Sequence, residues 1–205
     1  MRKAGAFLLI LLLSFPLLYA QEQEEEPPPD GDWDYYAPDS YSHGDQTFII
    51  SLGTVFPTVF FNDGKYYKNH NFVGPFKGAA ALSYNYYLTS HIFLGAEISG
   101  LFMPTLGDNV FFAIPLGMRT GYQFYLWRFE FPLNITFGMV WHNFLNNRYY
   151  GFYMKGGLAI YFRYSPEWSF GINANWNWLP EWTEDRSKNI DGNVVDLLLS
   201  ARYHF

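Results

Sequence analysis

The sequence predicts an all-β fold, a closed eight-stranded antiparallel up-and-down barrel that crosses a membrane. Three observations carry the prediction. From residue 46 to residue 205 hydrophobicity alternates with a period of two, the side-chain period of a β-strand. The alternating stretches number eight, and an even count lets an up-and-down sheet close with both ends on the same side. Charged residues make up 16% of the chain and aromatics 22%, against about 25% charged in an ordinary soluble domain. A surface facing water would be short of charge. No stretch after the first 20 residues approaches about 18 consecutive apolar positions, so any membrane crossing by the mature chain must use strands.

The chain begins with a secretory signal pattern over residues 1–20. Arg2 and Lys3 form the charged start, Phe7 to Leu18 the apolar run, and Leu18, Tyr19 and Ala20 the cleavage region. The run is broken by Pro16 and is shorter than the roughly 20 residues that cross a bilayer as a helix. The mature chain then starts at Gln21. There is no cysteine, which excludes disulfides and a lipid-modified amino terminus. Residues 21–45 hold nine of the 19 acids, no Lys or Arg, and the run Pro27, Pro28, Pro29. Such a segment cannot bury enough apolar area to offset chain entropy, so it reads as an acidic, disordered or extended leader. Within it, Asp30, Asp32 and Asp34 have the acid spacing that opens a calcium loop. The required Gly and Glu are replaced by Tyr35 and Tyr41, so no metal site is expected.

The strands follow in order. Residues 46–57 and 75–87 alternate with some noise. Ile92, Leu94, Ala96 and Ile98 alternate cleanly with Phe93, Gly95, Glu97 and Ser99. Ile114, Leu116, Met118, Tyr122 and Phe124 form the next apolar face, opposite Pro115, Gly117, Arg119, Gly121 and Gln123. Trp127, Phe129, Phe131, Leu133, Ile135, Phe137 and Met139 follow, opposite Arg128, Glu130, Pro132, Asn134, Thr136 and Gly138. Residues 152–164 fit more loosely. Trp168, Phe170, Ile172, Ala174, Trp176 and Trp178 then alternate with Ser169, Gly171, Asn173, Asn175 and Asn177. The final stretch places Val195, Leu197, Leu199, Ala201, Tyr203 and Phe205 opposite Asp196, Ser200, Arg202 and His204. Connections alternate in length. They are short at 88–90, around Leu126 and at 165–167, and long at 58–74, 104–110, 142–151 and 180–192. Short turns on one rim and long loops on the other match the periplasmic and extracellular ends of an outer-membrane barrel.

A soluble lipocalin-like barrel also alternates, with its apolar face turned inward. The residues favour the opposite orientation. The second face is mostly Gly, Ala, Ser and Asn with few charges, which suits a narrow interior better than a wet surface. The bulky aromatics gather at strand ends, Trp141 and Trp178 at one rim, Trp127 and Trp168 at the other, as a girdle at lipid headgroups requires. Pro115 and Pro132 fall inside strands of a sheet with no edge. The expectation is a local bulge at each, with the lost N–H on the lumen-facing phase.

On these residues the chain resembles the small eight-stranded outer-membrane proteins, a superfamily that includes the OmpA transmembrane domain, OmpX and OmpW. The resemblance rests on strand number, loop asymmetry and the terminal pattern Leu197, Leu199, Ala201, Tyr203, Phe205. It implies integral residence in a bacterial outer membrane as a monomer, with loops extracellular and the leader periplasmic. It further implies that the terminal strand is read by the barrel-assembly machinery, and that membrane lipids and lipopolysaccharide or another surface glycolipid are partners. No sequence block ties the chain to one member, so no family activity transfers residue by residue.

Nine charged residues fall on the lumen-facing phase: Lys77, Glu97, Arg119, Arg128, Glu130, Lys155, Arg163, Asp196 and Arg202. Enclosed charges are costly unless paired, so a salt-bridge network running up the interior is expected. Eight strands enclose a space that side chains fill, which argues against a diffusive pore. The network therefore reads as a structural plug first and as a polar gate second. The alternative chemistry is a lipid A deacylase or acyltransferase. The deacylase His-x-Ser pair is missing at His43, His70, His91, His142 and His204. Only loop groups such as His70, Asp63, His142, Asp108 and Ser187 could assemble a site, and His70 and His142 read as exposed loop residues. Asn134-Ile135-Thr136 matches a glycosylation sequon, but its asparagine falls on the lumen phase.

The long loops carry Tyr66, Tyr67, Phe72, Phe144, Tyr149, Tyr150 and Trp182 among asparagines, a mixture suited to binding an extracellular ligand. Inward positions Ile49, Val55, Phe93, Leu101 and Tyr161 would suit passage of a small apolar solute. Beyond residue 45, ten acids balance eleven bases, so a nucleic-acid footprint is absent, and no cofactor motif is present. The expected role is non-enzymatic, in membrane structure, surface interaction or uptake of small molecules.

Overall fold

The computed structural model describes residues 40–62, 65–67, 77–104, 110–144, 147–182 and 190–205. The segments expected to be signal peptide and most of the acidic leader lie outside them. The strands are β1 (Gln46–Asn62), β2 (Lys65–Tyr67), β3 (Gly78–Tyr87), β4 (Ile92–Pro104), β5 (Val110–Leu126), β6 (Phe129–Phe144), β7 (Asn147–Arg163), β8 (Trp168–Glu181) and β9 (Ile190–His204). Every pairing is antiparallel. The order runs β2-β1-β3-β4-β5-β6-β7-β8-β9, and β1 pairs with β9. Eight long strands thus close a ring in which no backbone edge faces hydrocarbon. The three-residue β2 folds back on the loop end of β1, pairing Phe60↔Tyr67 and Asn62↔Lys65.

The alternation is realised with the apolar phase outward. Leu116, Leu133, Ile135, Met139 and Leu199 are all half or more exposed, while Ile49, Val55, Phe93, Leu101 and Tyr161 are 0–1% exposed. Exposed large apolar side chains occur on all eight barrel strands, which is a belt fit for lipid and not for water. The terminal-strand residues Leu197 and Leu199 belong to that belt. Of the four expected girdle tryptophans, Trp127 and Trp168 are exposed at the short-turn end, and Trp141 and Trp178 are half-buried nearer the loops.

Three local expectations are corrected. First, neither Pro115 nor Pro132 makes a bulge. The β4–β5 ladder lapses after Ile98↔Leu116 and resumes at Leu101↔Ala113 in the same register. The β6–β7 ladder does likewise between Glu130↔Tyr161 and Leu133↔Leu158. On the other side of each proline the β5–β6 ladder is unbroken, through Pro115↔Val140 and Gln123↔Pro132. A strand donates from a given residue to one neighbour only, so a missing N–H opens one ladder and leaves the other intact. The register shift falls instead between Pro57 and Phe60, in the β1–β9 pairing.

Second, the strands run further toward the loop end than alternation indicated. Residues 142–144 and 147–151 belong to β6 and β7, so the expected ten-residue loop reduces to a connection at 145–146. Third, the leader does not extend to residue 45. Gly44 N–H donates to Tyr87 C=O at 3.0 Å and Tyr87 N–H to Asp45 C=O at 2.9 Å. These bonds tie residues 40–45 to the short-turn end, where the connections 88–91, 127–128 and 164–167 also lie. Trp127 in the two-residue β5–β6 turn has φ +54°, a conformation such hairpins demand and bulky residues rarely adopt.

An arginine tests the belt at two depths. Leu133→Arg, in mid-strand, should cost about 2–4 kcal/mol, and Leu126→Arg, at the turn end, about 0–1 kcal/mol, measured by urea unfolding in lipid vesicles. Equal costs would mean that the outward face does not sit in hydrocarbon.

Candidate functional site

The barrel interior holds the chemistry, and it divides into three tiers. The tier at the short-turn end is built on Glu130, which projects inward from the second residue of β6 and is fully buried. Arg202 Nη1 lies 2.6 Å from its Oε2, and Arg163 Nε lies 2.9 Å from its Oε1, the latter an ion pair by proximity. Gln123 Nε2 donates to Oε2 at 2.8 Å and the Tyr41 hydroxyl donates to it at 3.0 Å. Tyr41 comes from the segment before β1 and enters the mouth. Its ring stacks on Tyr87 with centroids 3.8 Å apart, its oxygen accepts from Arg202 at 3.2 Å, and the Arg163 guanidinium lies 4.8 Å from its ring centroid. Burial pushes the Tyr41 hydroxyl up to about 12, so the group works as a neutral donor. The Arg202 guanidinium caps the Tyr161 ring at 3.7 Å. His204 completes the tier, within 2.9 Å of the Tyr41 oxygen and 2.7 Å of Ser169 Oγ.

The middle tier is built on Glu97. Arg119 Nη1 binds its Oε2 at 2.8 Å, and Lys155 Nζ binds its Oε1. Ser83 Oγ donates to Oε2 at 3.1 Å and accepts from Arg119 at 3.0 Å. Beside it, Asp196 is buried but has no cation within ion-pair distance among the described residues. Asn175 Nδ2 donates to its Oδ1 at 2.5 Å and Asn177 Nδ2 to its Oδ2 at 2.6 Å. The seam between β1 and β9 is closed on the inside by Ser51 and Ser200, whose hydroxyls lie 2.6 Å apart.

The tier toward the loops is apolar. Val55, Ala79, Leu101, Met103, Ala113, Val140, Tyr153, Leu179 and Val194 pack as one cluster, all buried. This corrects the expectation of a network running up the whole interior, since the ion pairs of Glu130 and Glu97 stop below the apolar cluster. Alternation says which residues face inward but nothing about height along the axis, and between the Glu97 tier and the His142–Glu181 pair at the loop end the inward positions are mainly apolar.

Three of the nine expected network residues stand apart. Arg128 lies in the β5–β6 turn, outside the lumen. Its Nη2 donates to Tyr164 C=O at 3.2 Å and its guanidinium lies 5.3 Å from the Phe162 centroid. Lys77 precedes β3, is half-buried, and makes no ion pair with a described residue. Asp196 is enclosed but held by amides. Glu97, Arg119, Lys155, Glu130, Arg163 and Arg202 come together in two groups, each a carboxylate with two bases. Tyr41, Gln123, His204, Asn175 and Asn177 complete these sites. All but Tyr41 lie on the lumen phase of a strand and are polar, which is the signal that could have found them. Nothing local marked Tyr41.

At the loop end, His142 is not an exposed loop residue. It projects inward from β6 and is buried, with Nε2 3.2 Å from Glu181 Oε1 of β8 and its ring against Phe111 and Tyr149. Tyr149 Oη accepts from Trp182 N–H at 2.7 Å, and the Trp182 ring stacks on Phe152 at 6.2 Å. Trp182, Tyr150 and Arg148 are exposed there. Asn134 of the sequon match is buried in the lumen. The enzyme candidates His70, Asp63, Asp108 and Ser187, and the loop residue Phe72, lie outside the described residues.

The closed eight-strand architecture is shared with solved structures of outer-membrane proteins. The crystal structure of Neisserial surface protein A (NspA) superposes with a TM-score of 0.59 at 8% identity, over 79% of this chain and 99% of that one. At that identity the likeness concerns the fold alone. Two uncharacterised proteins of Treponema pallidum (strain Nichols) are similar in sequence. One is 26% identical over 128 residues, 62% of this chain and 58% of the relative. The other is 25% identical over 121 residues, 55% of this chain and 41% of the relative. This chain thus matches about half the length of these relatives. A protein-family model matches residues 20–203.

The two kinds of enclosed carboxylate should respond differently to neutralisation. Glu130→Gln removes the carboxylate that the fully buried Arg202 meets at 2.6 Å and should cost about 3–5 kcal/mol. Asp196→Asn strands no cation among the described residues and should cost about 1–3 kcal/mol. Urea titration of the folded barrel, read by heat-modifiable gel migration, gives the order, and a reversed order would contradict the pairing described.

Proposed function

We propose, from a fold shared with the small eight-stranded outer-membrane barrels and from the apolar belt around the barrel, that this protein is an integral outer-membrane barrel with a non-enzymatic role exerted at its surface. The observation that carries the reading is the filled interior. Tyr41, Glu130, Arg163 and Arg202 close the mouth at the short-turn end, Glu97, Arg119 and Lys155 fill the middle, and Leu101, Met103, Val140 and Tyr153 fill the loop end. A barrel packed along its axis is a scaffold, since each tier would have to be dismantled to pass a solute. Uptake of a small apolar molecule would need the apolar tier to be hollow, and its side chains are packed against one another instead.

What remains free to act is the outside. Membrane lipids and a surface glycolipid meet the belt, and the rim offers Tyr150, Trp182 and Arg148, aromatic anchors beside a charge, to an extracellular ligand. The loops face outward from the cell and the leader lies in the periplasm, where the barrel-assembly machinery would read the terminal strand.

In planar bilayers the purified protein should give no stepwise conductance, and its expression should leave the lipid A acyl pattern unchanged. Protease shaving of intact cells should cut within 183–189 and spare 164–167. Discrete conductance steps would overturn the scaffold reading, altered lipid A would establish the enzyme, and cleavage at 164–167 alone would reverse the orientation.

A further inference from the structure

The outer wall of a barrel is convex, so a hollow in it arises only where outward positions carry small residues. One such hollow, about 720 Å³ and lined almost wholly by apolar atoms, lies over β5 to β9. Its floor is Gly156 of β7 and Ala174 of β8. Leu133 and Ile135 of β6 wall one side, Trp176 and Val195 the other. The pairings Ile135↔Gly156, Gly156↔Trp176 and Trp176↔Val195 set these residues in one cross-strand row. Its volume is within the range of small-molecule sites, about 300–1,000 Å³.

Packing does not require the glycine that makes the floor. A Cβ on Gly156 would meet only Cε3 of Trp176, at 4.0 Å, and the residue does not have positive φ. Its neighbour Gly157 differs, since a Cβ there would fall 2.2 Å from Asn175 Oδ1. Glycine inside a strand weakens it, and in the floor of a hollow it leaves the depth that close approach by another molecule needs. Trp176 is a prepared wall. Its indole N–H donates to Asn193 Oδ1 at 3.1 Å, which holds the ring beside the hollow instead of across it.

We propose that this hollow holds one acyl chain of a membrane lipid. The hollow opens on the lipid-facing belt and is continuous with it, and the polar groups of Asn134 and Asn175 behind it are turned into the lumen. A hydrocarbon chain is the occupant that leaves no polar group unpaired there. The inference rests on the membrane reading above, and the experiment separates the two.

The full chain is extracted in mild detergent, washed by detergent exchange and weighed by native mass spectrometry. Wild type should retain one lipid per barrel. Gly156→Phe, and Ala174→Leu from the adjacent strand, should lower that retention roughly tenfold while keeping heat-modifiable migration. Gly100→Phe is the control, because Gly100 also faces outward with open space around it, on β4, and it should leave retention unchanged. A wild type that retains no lipid, or equal retention in Gly156→Phe and Gly100→Phe, overturns the proposal. So does a dimer dispersed by Gly156→Phe, which would make a second copy the occupant. A chain that stays soluble without detergent would instead overturn the membrane reading itself.

Discussion

Residues of β1 pair with residues of β9 from Thr47↔His204 to Asn62↔Ile190, and the rest of the molecule depends on that seam. In hydrocarbon an unpaired backbone N–H or C=O costs several kcal/mol, because no water can replace the missing partner. Closing the ring removes the two edges at which whole rows of such groups would be stranded. Once it is closed, each strand has an inside and an outside, and the period-two pattern has only one arrangement in which aliphatic and aromatic side chains meet lipid. The seam also explains how the prolines are tolerated. Pro115 and Pro132 each open one ladder for two residues and leave the other whole, a local loss that a sheet supported on both sides can absorb.

Inside, the constraint is charge. Glu130 and Glu97 sit in a space too narrow for bulk water, and each is met by two bases. That arrangement offsets the desolvation of the ions and leaves the whole group sensitive to removal of any one member. Asp196 follows a cheaper rule, with two asparagine amides donating to its oxygens. Above these tiers the interior turns apolar, and packing takes over from pairing. The described interior is thus filled in three chemically different ways.

The mouth at the short-turn end joins distant parts of the chain. Tyr41 arrives from before the first strand and meets Glu130 of β6, Tyr87 of β3, and Arg202 and His204 of β9. It holds the amino-terminal entry against the barrel floor, and it joins groups separated by as many as 163 residues in sequence. His142 and Glu181 do something similar on a smaller scale at the other end, linking β6 to β8 across the inner face of β7.

Much of this was legible in the residues alone. Strand number, antiparallel order, closure and the outward direction of Leu133, Ile135 and Trp176 follow from alternation, because a one-residue change of phase would place every bulky side chain on the wrong face. The same logic placed Glu97, Arg119, Glu130, Lys155, Arg163 and Arg202 inside. Tertiary structure decided what alternation does not encode. The height of a side chain along the axis depends on strand tilt and stagger, so alternation does not give the partners: Glu97 takes Arg119 and Lys155, Glu130 takes Arg163 and Arg202, and Asp196 takes no cation among the described residues. Arg128 shares the inward phase but sits in a turn, where phase has no meaning. Tyr41 lies outside the periodic region, and His142 in a stretch read as loop, so only the closed ring could bring them to the interior they occupy.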